Sequence, residues 1–283
     1  MLERFRIAKA AELAALEDLA ARGAMPPPRA GGRPPFRASL QDKARPVIAE
    51  YKRASPSKGD INLGWTPEDV AAAYAEAGAG ALSVLTEETY FKGSPDYLQR
   101  MAGPGLPLLR KDFIIHPLQV EQTAATPASA LLLIARMLDA DMLRLLIRTA
   151  LNFGLEPVTE IFDLADLDMA RKAGATIIQV NNRDLSRLAV DLCVSRTLIV
   201  HKAPGEFWIS ASGIEDRAGL DGLLGLGFDA GLVGSSLMAG QDPGQALAAL
   251  LGKREGNTPS LRRKISGLPG VLPADRLGRG EDA

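Results

Sequence analysis

The stretch Phe207–Met238, FWISASGIEDRAGLDGLLGLGFDAGLVGSSLM, decides the fold. It opens on a run, Phe207–Ala211, that is too short for a buried helix and is bounded by turn chemistry. Such a run reads as a strand buried on both faces. Asp216–Leu226 follows with helical period and stops at Gly227, where a helix C-cap needs positive φ. A second apolar run, Ala230–Gly234, is the next strand. Both strands exit through small residues, Ser210-Ala211-Ser212-Gly213-Ile214 and Val233-Gly234-Ser235-Ser236-Leu237. Glycines there let the backbone come close, N–H groups point outward and the next helix's dipole favours an anion.

The same unit recurs upstream. Strand-like runs stand at Val47–Tyr51, Ala81–Leu85, Leu106–Arg110, Ala130–Ile134, Glu156–Glu160 and Thr176–Asn181. Helical stretches lie between them, as at Pro67–Ala77, Asp139–Asn152 and Asp163–Ala173, with Gly78, Gly154 and Gly174 at their ends. Eight strands starting every 20 to 34 residues and alternating with helices predict a (β/α)8 TIM barrel, an α/β fold. A doubly wound open sheet is the competitor, but no GxGxxG follows the first strand. In a barrel the two small-residue exits follow strands seven and eight, where barrels often hold phosphate. The expected ligand is therefore a phosphorylated small molecule.

Ile7–Arg22 carries Leu and Ala at helical spacing and predicts an extra N-terminal helix outside the barrel. The Pro/Gly/Arg stretch Ala24–Pro35 predicts a loop. Residues 1–252 read as one domain, and the basic, then Gly/Pro-rich tail Lys253–Ala283 as disordered or loosely attached. With 283 residues, 46% of them hydrophobic, the chain can bury a large core. A formal charge of −1 makes no electrostatic case for nucleic acid or an anionic membrane. No apolar run approaches the roughly 20 residues that cross a bilayer, and the N-terminus lacks a signal peptide's apolar block. Cys193 stands alone and the two histidines, His116 and His201, are far apart, so no disulfide framework or metal site is expected. These features predict a cytoplasmic enzyme that uses no metal.

Polar residues at strand ends carry the chemistry of a parallel barrel. After the first strand, alternation sends Glu50 and Lys52 to one side, toward the mouth; a surface ion pair on a loop is the plainer alternative. The third strand ends Arg110-Lys111-Asp112-Phe113, where a partly desolvated lysine near other cations is a candidate general acid, or simply an exposed lysine. Glu160 ends the fifth strand as a candidate base or electrostatic partner. Asn181 ends the sixth, ahead of Asn182-Arg183-Asp184, and can donate to and accept from substrate oxygens. Single acids at strand ends are often structural; four such ends on one rim weaken that reading. His116, just before Pro117, reads as a loop residue, His201 as a surface one, and Trp65 and Trp208 as packing groups.

Five strings stand in one order: IAEYKRASPSKGDI (Ile48–Ile61), LSVLTEETYFKGS (Leu82–Ser94), LLRKDFIIHPLQV (Leu108–Val120), VNNRDL (Val180–Leu185) and VGSSLM (Val233–Met238). Over about Ile7–Leu251 the chain resembles the indole-3-glycerol-phosphate synthases. The resemblance implies conversion of 1-(2-carboxyphenylamino)-1-deoxyribulose 5-phosphate to indole-3-glycerol phosphate, CO2 and water, in tryptophan biosynthesis and without a cofactor. It implies that Lys111 protonates the ketone, that Lys52 meets the substrate carboxylate, that Glu160 is the base of the dehydration and that Glu50 is a further active-site acid. Asn181, Phe113, Ser212 and Arg183 then line the substrate, with Phe113 beside the anthranilate ring. Ser55, Gly213, Gly234 and Ser235 take the phosphate. A monomer or weak homo-oligomer is expected.

One position departs from the family. Its usual Ser-Glu-Ser-Gly-Ile after strand seven is here Ser210-Ala211-Ser212-Gly213-Ile214, so a carboxylate that faces the substrate is missing. Thr126-Pro127-Ala128-Ser129 also replaces a Gly-Ala turn before strand four. The leading expectation is an active synthase with altered rate or tolerance of ring substituents. The alternative is a catalytically weak or inactive ligand-binding barrel of the same family. A phosphoribosylanthranilate isomerase would share the phosphate loops but lacks the Arg110–Phe113 string.

Overall fold

Eight strands, β1 (Val47–Tyr51), β2 (Ala81–Leu85), β3 (Leu108–Lys111), β4 (Ala130–Ile134), β5 (Glu156–Ile161), β6 (Ile177–Asn181), β7 (Phe207–Ala211) and β8 (Ala230–Val233), close into one parallel barrel in the computed structural model. The structure describes residues 2–184 and 189–253. Each strand pairs with its neighbours in sequence, and β1 closes the ring against β8, with Val47 opposite Gly231 and Ala49 opposite Val233. The open-sheet alternative is thereby excluded. The tail expected over Lys253–Ala283 lies outside the described residues except for Lys253.

Helices α1 (Leu2–Ala21) and α2 (Phe36–Gln41) precede the barrel. Helices α3 (Pro67–Ala77), α4 (Asp96–Arg100), α5 (Pro117–Ala124), α6 (Ala140–Asn152), α7 (Leu164–Ala173), α8 (Cys193–Ile199), α9 (Arg217–Gly225), α10 (Ser235–Met238) and α11 (Pro243–Leu251) follow the strands in turn. Asp139, Asp163, Asp216 and Asp242 each cap a helix by accepting from a backbone N–H of its first turn. No helix among the described residues is long and apolar enough to cross a membrane.

Alternation along the strands sorts residues into two layers. Ile48, Leu109, Leu132, Val158, Ile177, Ile209 and Leu232 fill the interior, with Phe36 and Leu40 of α2 stopping its N-terminal end. Ala49, Val84, Leu131, Ile161, Val180 and Trp208 face the helices instead. The inward set turns polar toward the strand C-termini, where Glu50, Lys111, Glu160 and Asn181 continue it.

Some boundaries differ from the sequence reading. The first helix begins five residues before Ile7, because Phe5 is buried and extends the apolar stripe. Strand β3 starts at Leu108, not Leu106: Pro107 has no N–H for the ladder, although its carbonyl still accepts from Leu82. Gly234 leaves the eighth strand and becomes the N-cap of α10. His116 is the N-cap of α5, its ring Nδ1 accepting from Leu118 N at 3.3 Å while Gln119 returns the bond. Trp208 is fully buried and Trp65 partly buried against the core, while His201 is exposed.

Candidate active site

The C-terminal mouth of the barrel holds a cavity of about 480 Å³, and all twelve residues singled out from the sequence line it. Glu50 and Lys52 leave β1 on the same side, as alternation requires. Lys52 Nζ stands 2.9 Å from Glu50 Oε1. The pair is therefore not a solvated surface bridge, since Glu50 is only 4% exposed. Burial by itself would raise the Glu50 carboxyl. The positive charge of Lys52, then that of Lys111, with hydrogen bonds from Lys52 and Ser83, outweighs it and holds the group below the usual carboxylate range.

Across the mouth, Lys111 Nζ lies 3.9 Å from Glu160 Oε2. That oxygen also accepts from the amide of Gln179, which sits opposite Glu160 in the β5–β6 ladder. Lys111 is thus near an acid without being locked to it, which leaves its protons available to a ligand. Asn181, from β6, accepts through Oδ1 from Ser212 Oγ at 2.9 Å and from the Arg183 backbone at 3.0 Å. Its amide nitrogen is thereby turned away from those partners. Ser212 holds φ at 69°, unusual for a residue with a side chain, and its bond to Asn181 offsets the strain.

The two small-residue exits meet on one side of the cavity, where Ser236 Oγ donates to the Ile214 carbonyl at 3.0 Å. Two glycines there are required for different reasons. Gly213 has φ of 86°, and a Cβ on it would come within 2.7 Å of Val190. Gly234 has ordinary φ, but a Cβ would lie 2.3 Å from Glu50 Oε1. The backbone at Gly234 and the Glu50–Lys52 pair are therefore packed directly against each other. Ser55, in a two-residue hairpin (Ala54–Ser55 with Gly59–Asp60) after β1, completes this side.

A sequence model of indole-3-glycerol phosphate synthase matches residues 3–250. The chain belongs to the indole-3-glycerol phosphate synthase family. The protein of that name from Carboxydothermus hydrogenoformans is 43% identical over 207 residues, covering 72% of this chain and 78% of its own. The one from Aquifex aeolicus is 41% identical over 220 residues, covering 77% and 85%. Among solved structures, 3-hexulose-6-phosphate synthase from Salmonella typhimurium superposes with a TM-score of 0.59 at 14% identity, over 73% of this chain and 97% of that one. At that identity the likeness concerns the fold alone.

The site also contains groups that the sequence reading passed over. Phe5, from α1, stacks on Phe113 with centroids 4.0 Å apart and planes 15° apart. Phe91 closes the same wall at 6.2 Å from Phe113. The loop carrying Phe91 is tied down by Glu87, whose buried carboxylate accepts from the backbone of Thr89, Tyr90 and Phe91. Phe91 lay inside a string characteristic of the synthase family and was legible there; Phe5 carried no comparable signal. Ala211, the departure from the family pattern, ends β7 beside Asn181 with its methyl group on the cavity wall.

Proposed function

We propose that this chain is an active synthase that closes the indole ring of indole-3-glycerol phosphate. The observation that carries the reading is the placement of Lys111 and Glu160, 3.9 Å apart, between an aromatic wall and two small-residue loops. The anthranilate ring of the substrate lies against Phe113, and its phosphate is held by Ser55, Gly213, Gly234 and Ser235. Lys52 meets the carboxylate, with Asn181, Ser212 and Arg183 along the sugar chain. Lys111 gives a proton to the ketone oxygen as the carboxylate-bearing aryl carbon attacks the ketone carbon, which becomes a hydroxyl-bearing centre. The C–CO2 bond then breaks and its electron pair restores the aromatic ring. The new hydroxyl leaves as water with a proton supplied by a lysine, and Glu160, with Glu50 nearby, takes the proton from the adjacent ring carbon. Substrate carboxylate and phosphate are the charges the cationic side and the N–H loops would neutralise. No cofactor, nucleic acid or membrane enters this reading, which includes a cytoplasmic setting and a monomeric or weakly self-associating chain.

Ala211 makes the synthase unusual. It removes a negative charge and leaves room beside the substrate, so turnover of the ordinary substrate is slower and substituted anthranilate rings are tolerated. Single-turnover incubation with the unsubstituted substrate, followed by the fluorescence of the indole product, tests the proposal. Product formation supports it. No product from the purified protein, with product restored in Ala211→Glu, would make the chain a ligand-binding barrel.

A further inference from the structure

The middle of α1 meets the end of β3 in a cluster of four charges that the mechanism does not use, with Lys9, Arg110 and Asp112 buried and Glu12 at its partly exposed edge. Lys9 Nζ lies 2.5 Å from Asp112 Oδ1 and 2.5 Å from Glu12 Oε2. Arg110 Nη2 lies 2.9 Å from Asp112 Oδ2 and 3.2 Å from Glu12 Oε1. Two cations and two anions balance. Further hydrogen bonds enclose the cluster: Thr86 Oγ1 donates to Asp112, and Arg110 donates to the Gln119 carbonyl, Gln122 and Thr123. Asp112 further accepts from the Phe113 backbone N–H at 2.8 Å.

The cluster's position in the strand matters most. Arg110 and Asp112 flank Lys111 and point away from the cavity that Lys111 enters, since successive side chains alternate. Lys9 and Glu12 therefore hold both neighbours of Lys111 from behind. The same helix supplies Phe5 to the stack on Phe113, two residues beyond Lys111. Apolar packing would hold α1 to the barrel equally well, because buried ion clusters rarely add stability over apolar residues of similar shape. What charges at fixed hydrogen-bonding distances add is a defined geometry.

We infer that Lys9 and Glu12 of α1 act as positioning residues that aim Lys111 through Asp112 and Arg110. The inference rests on the proposed synthase function. Without Lys9, Asp112 and Glu12 share one guanidinium, the end of β3 shifts, and Lys111 loses its alignment with the ketone. Misplacement by about 1 Å far from the chemistry can lower a rate about a hundredfold.

The test uses the full chain in three variants, with Tm, kcat and KM measured on each. Lys9→Met is expected to lower kcat by about ten- to a hundredfold while KM changes little, because the phosphate loops lie on another part of the rim. Glu12→Gln, which changes the partly exposed member of the cluster and leaves Lys9 and Arg110 paired with Asp112, is expected to lower kcat in the same direction and by less; it carries the test if Lys9→Met does not fold. Leu16→Ala removes a buried contact of the same helix two turns from Lys9, and should lower Tm while leaving kcat unchanged. Unchanged kcat in Lys9→Met, or in Glu12→Gln where that variant stands in for it, overturns the inference. So does an equal fall in Leu16→Ala, which would mean that α1 acts only by general stability. A wild-type protein without turnover removes the functional reading and this inference with it; a wild type that turns over beside an unimpaired Lys9→Met removes only the inference.

Discussion

At the N-terminal end of the barrel, Glu156 accepts from the backbone N–H groups of Phe36 and Arg37, so β5 caps the helix that plugs the interior. Arg37 spans to the Gly205 carbonyl and covers Phe207, and Arg33 donates to the Ala124 and Ala128 carbonyls. At the C-terminal end, Lys111 approaches Glu160 no closer than 3.9 Å, and the buried carbonyl oxygen of Gln179 has no partner. The charged groups below are thus saturated, Ser129 Oγ at the start of β4 being an unpartnered exception there, whereas Lys111 and Gln179 above are under-coordinated. Saturation serves closure of the fold; groups left short of partners are poised for a ligand. Removing a side chain should therefore harm stability at one end and rate at the other.

The largest effect is expected at the mouth. Lys111→Met should lower single-turnover product formation by about 10²- to 10⁴-fold, the usual contribution of a positioned general acid. The urea midpoint should change little, because Lys111 makes no close ion pair and its partial desolvation offsets what its charge contributes to Glu160 and Glu50. A large loss of stability would break the contrast between the two ends. Phe36→Ala is the complementary experiment. It empties the plug of a fully buried ring and should cost about 3–5 kcal/mol in urea unfolding, while kcat of the folded protein stays at the wild-type value.

Legibility in the sequence follows the same division. The strands were readable because a parallel strand covered on both faces is an unbroken apolar run. Glu50, Lys52, Lys111, Glu160 and Asn181 were readable because alternation carries the interior face straight into the mouth. The balance between Lys111 and Glu160 was not, since it depends on where Gln179 places an amide. Lys9 and Glu12 were the least legible. Glu12 meets Arg110 across 98 residues of chain, and nothing in the period of α1 marks one buried lysine among its exposed charged residues. Phe5 was lost for a related reason, as it lies just before the stretch that read as helix.

Ala211→Glu sharpens the contrast from the other direction, by adding a group to the under-coordinated end. A carboxylate at that point enters the cavity between Asn181 and Leu232, its ladder neighbours. A hydrogen bond to a charged group contributes about 1.5–3 kcal/mol, equivalent to roughly one to two decades in rate. Turnover of the unsubstituted substrate should rise by that factor, and tolerance of bulky or anionic ring substituents should fall. Parallel kcat/KM measurements on substituted and unsubstituted substrates check both parts, and equal changes on the two would leave Ala211 without a role in selectivity.

Acid titration compares the mouth with the cluster directly behind it. Asp112 is fully enclosed, and burial alone would raise its carboxyl; the charges of Arg110 and Lys9, with hydrogen bonds from Lys9 and Thr86, reverse this and bring it from 3.8 to about 2. A carboxyl held lower in the folded chain than in the unfolded one stabilises the fold above its unfolded value. That contribution, about 2 kcal/mol for a shift of this size, is lost as pH falls from 3.8 toward about 2. Glu50 is lowered too, so its share has the same sign and disappears on acidification from its ordinary 4.5 downward. The two are separable by variant. Asp112→Asn should be less stable at neutral pH, yet should lose less further stability below pH 3.8 than the wild type, because its amide takes up no proton. Glu50→Gln should flatten the descent that begins nearer 4.5 and leave the lower part intact. Urea midpoints recorded from neutral pH down to the acid transition distinguish the outcomes. If Asp112→Asn followed the wild-type slope throughout, the cluster behind Lys111 would not be held together by charge.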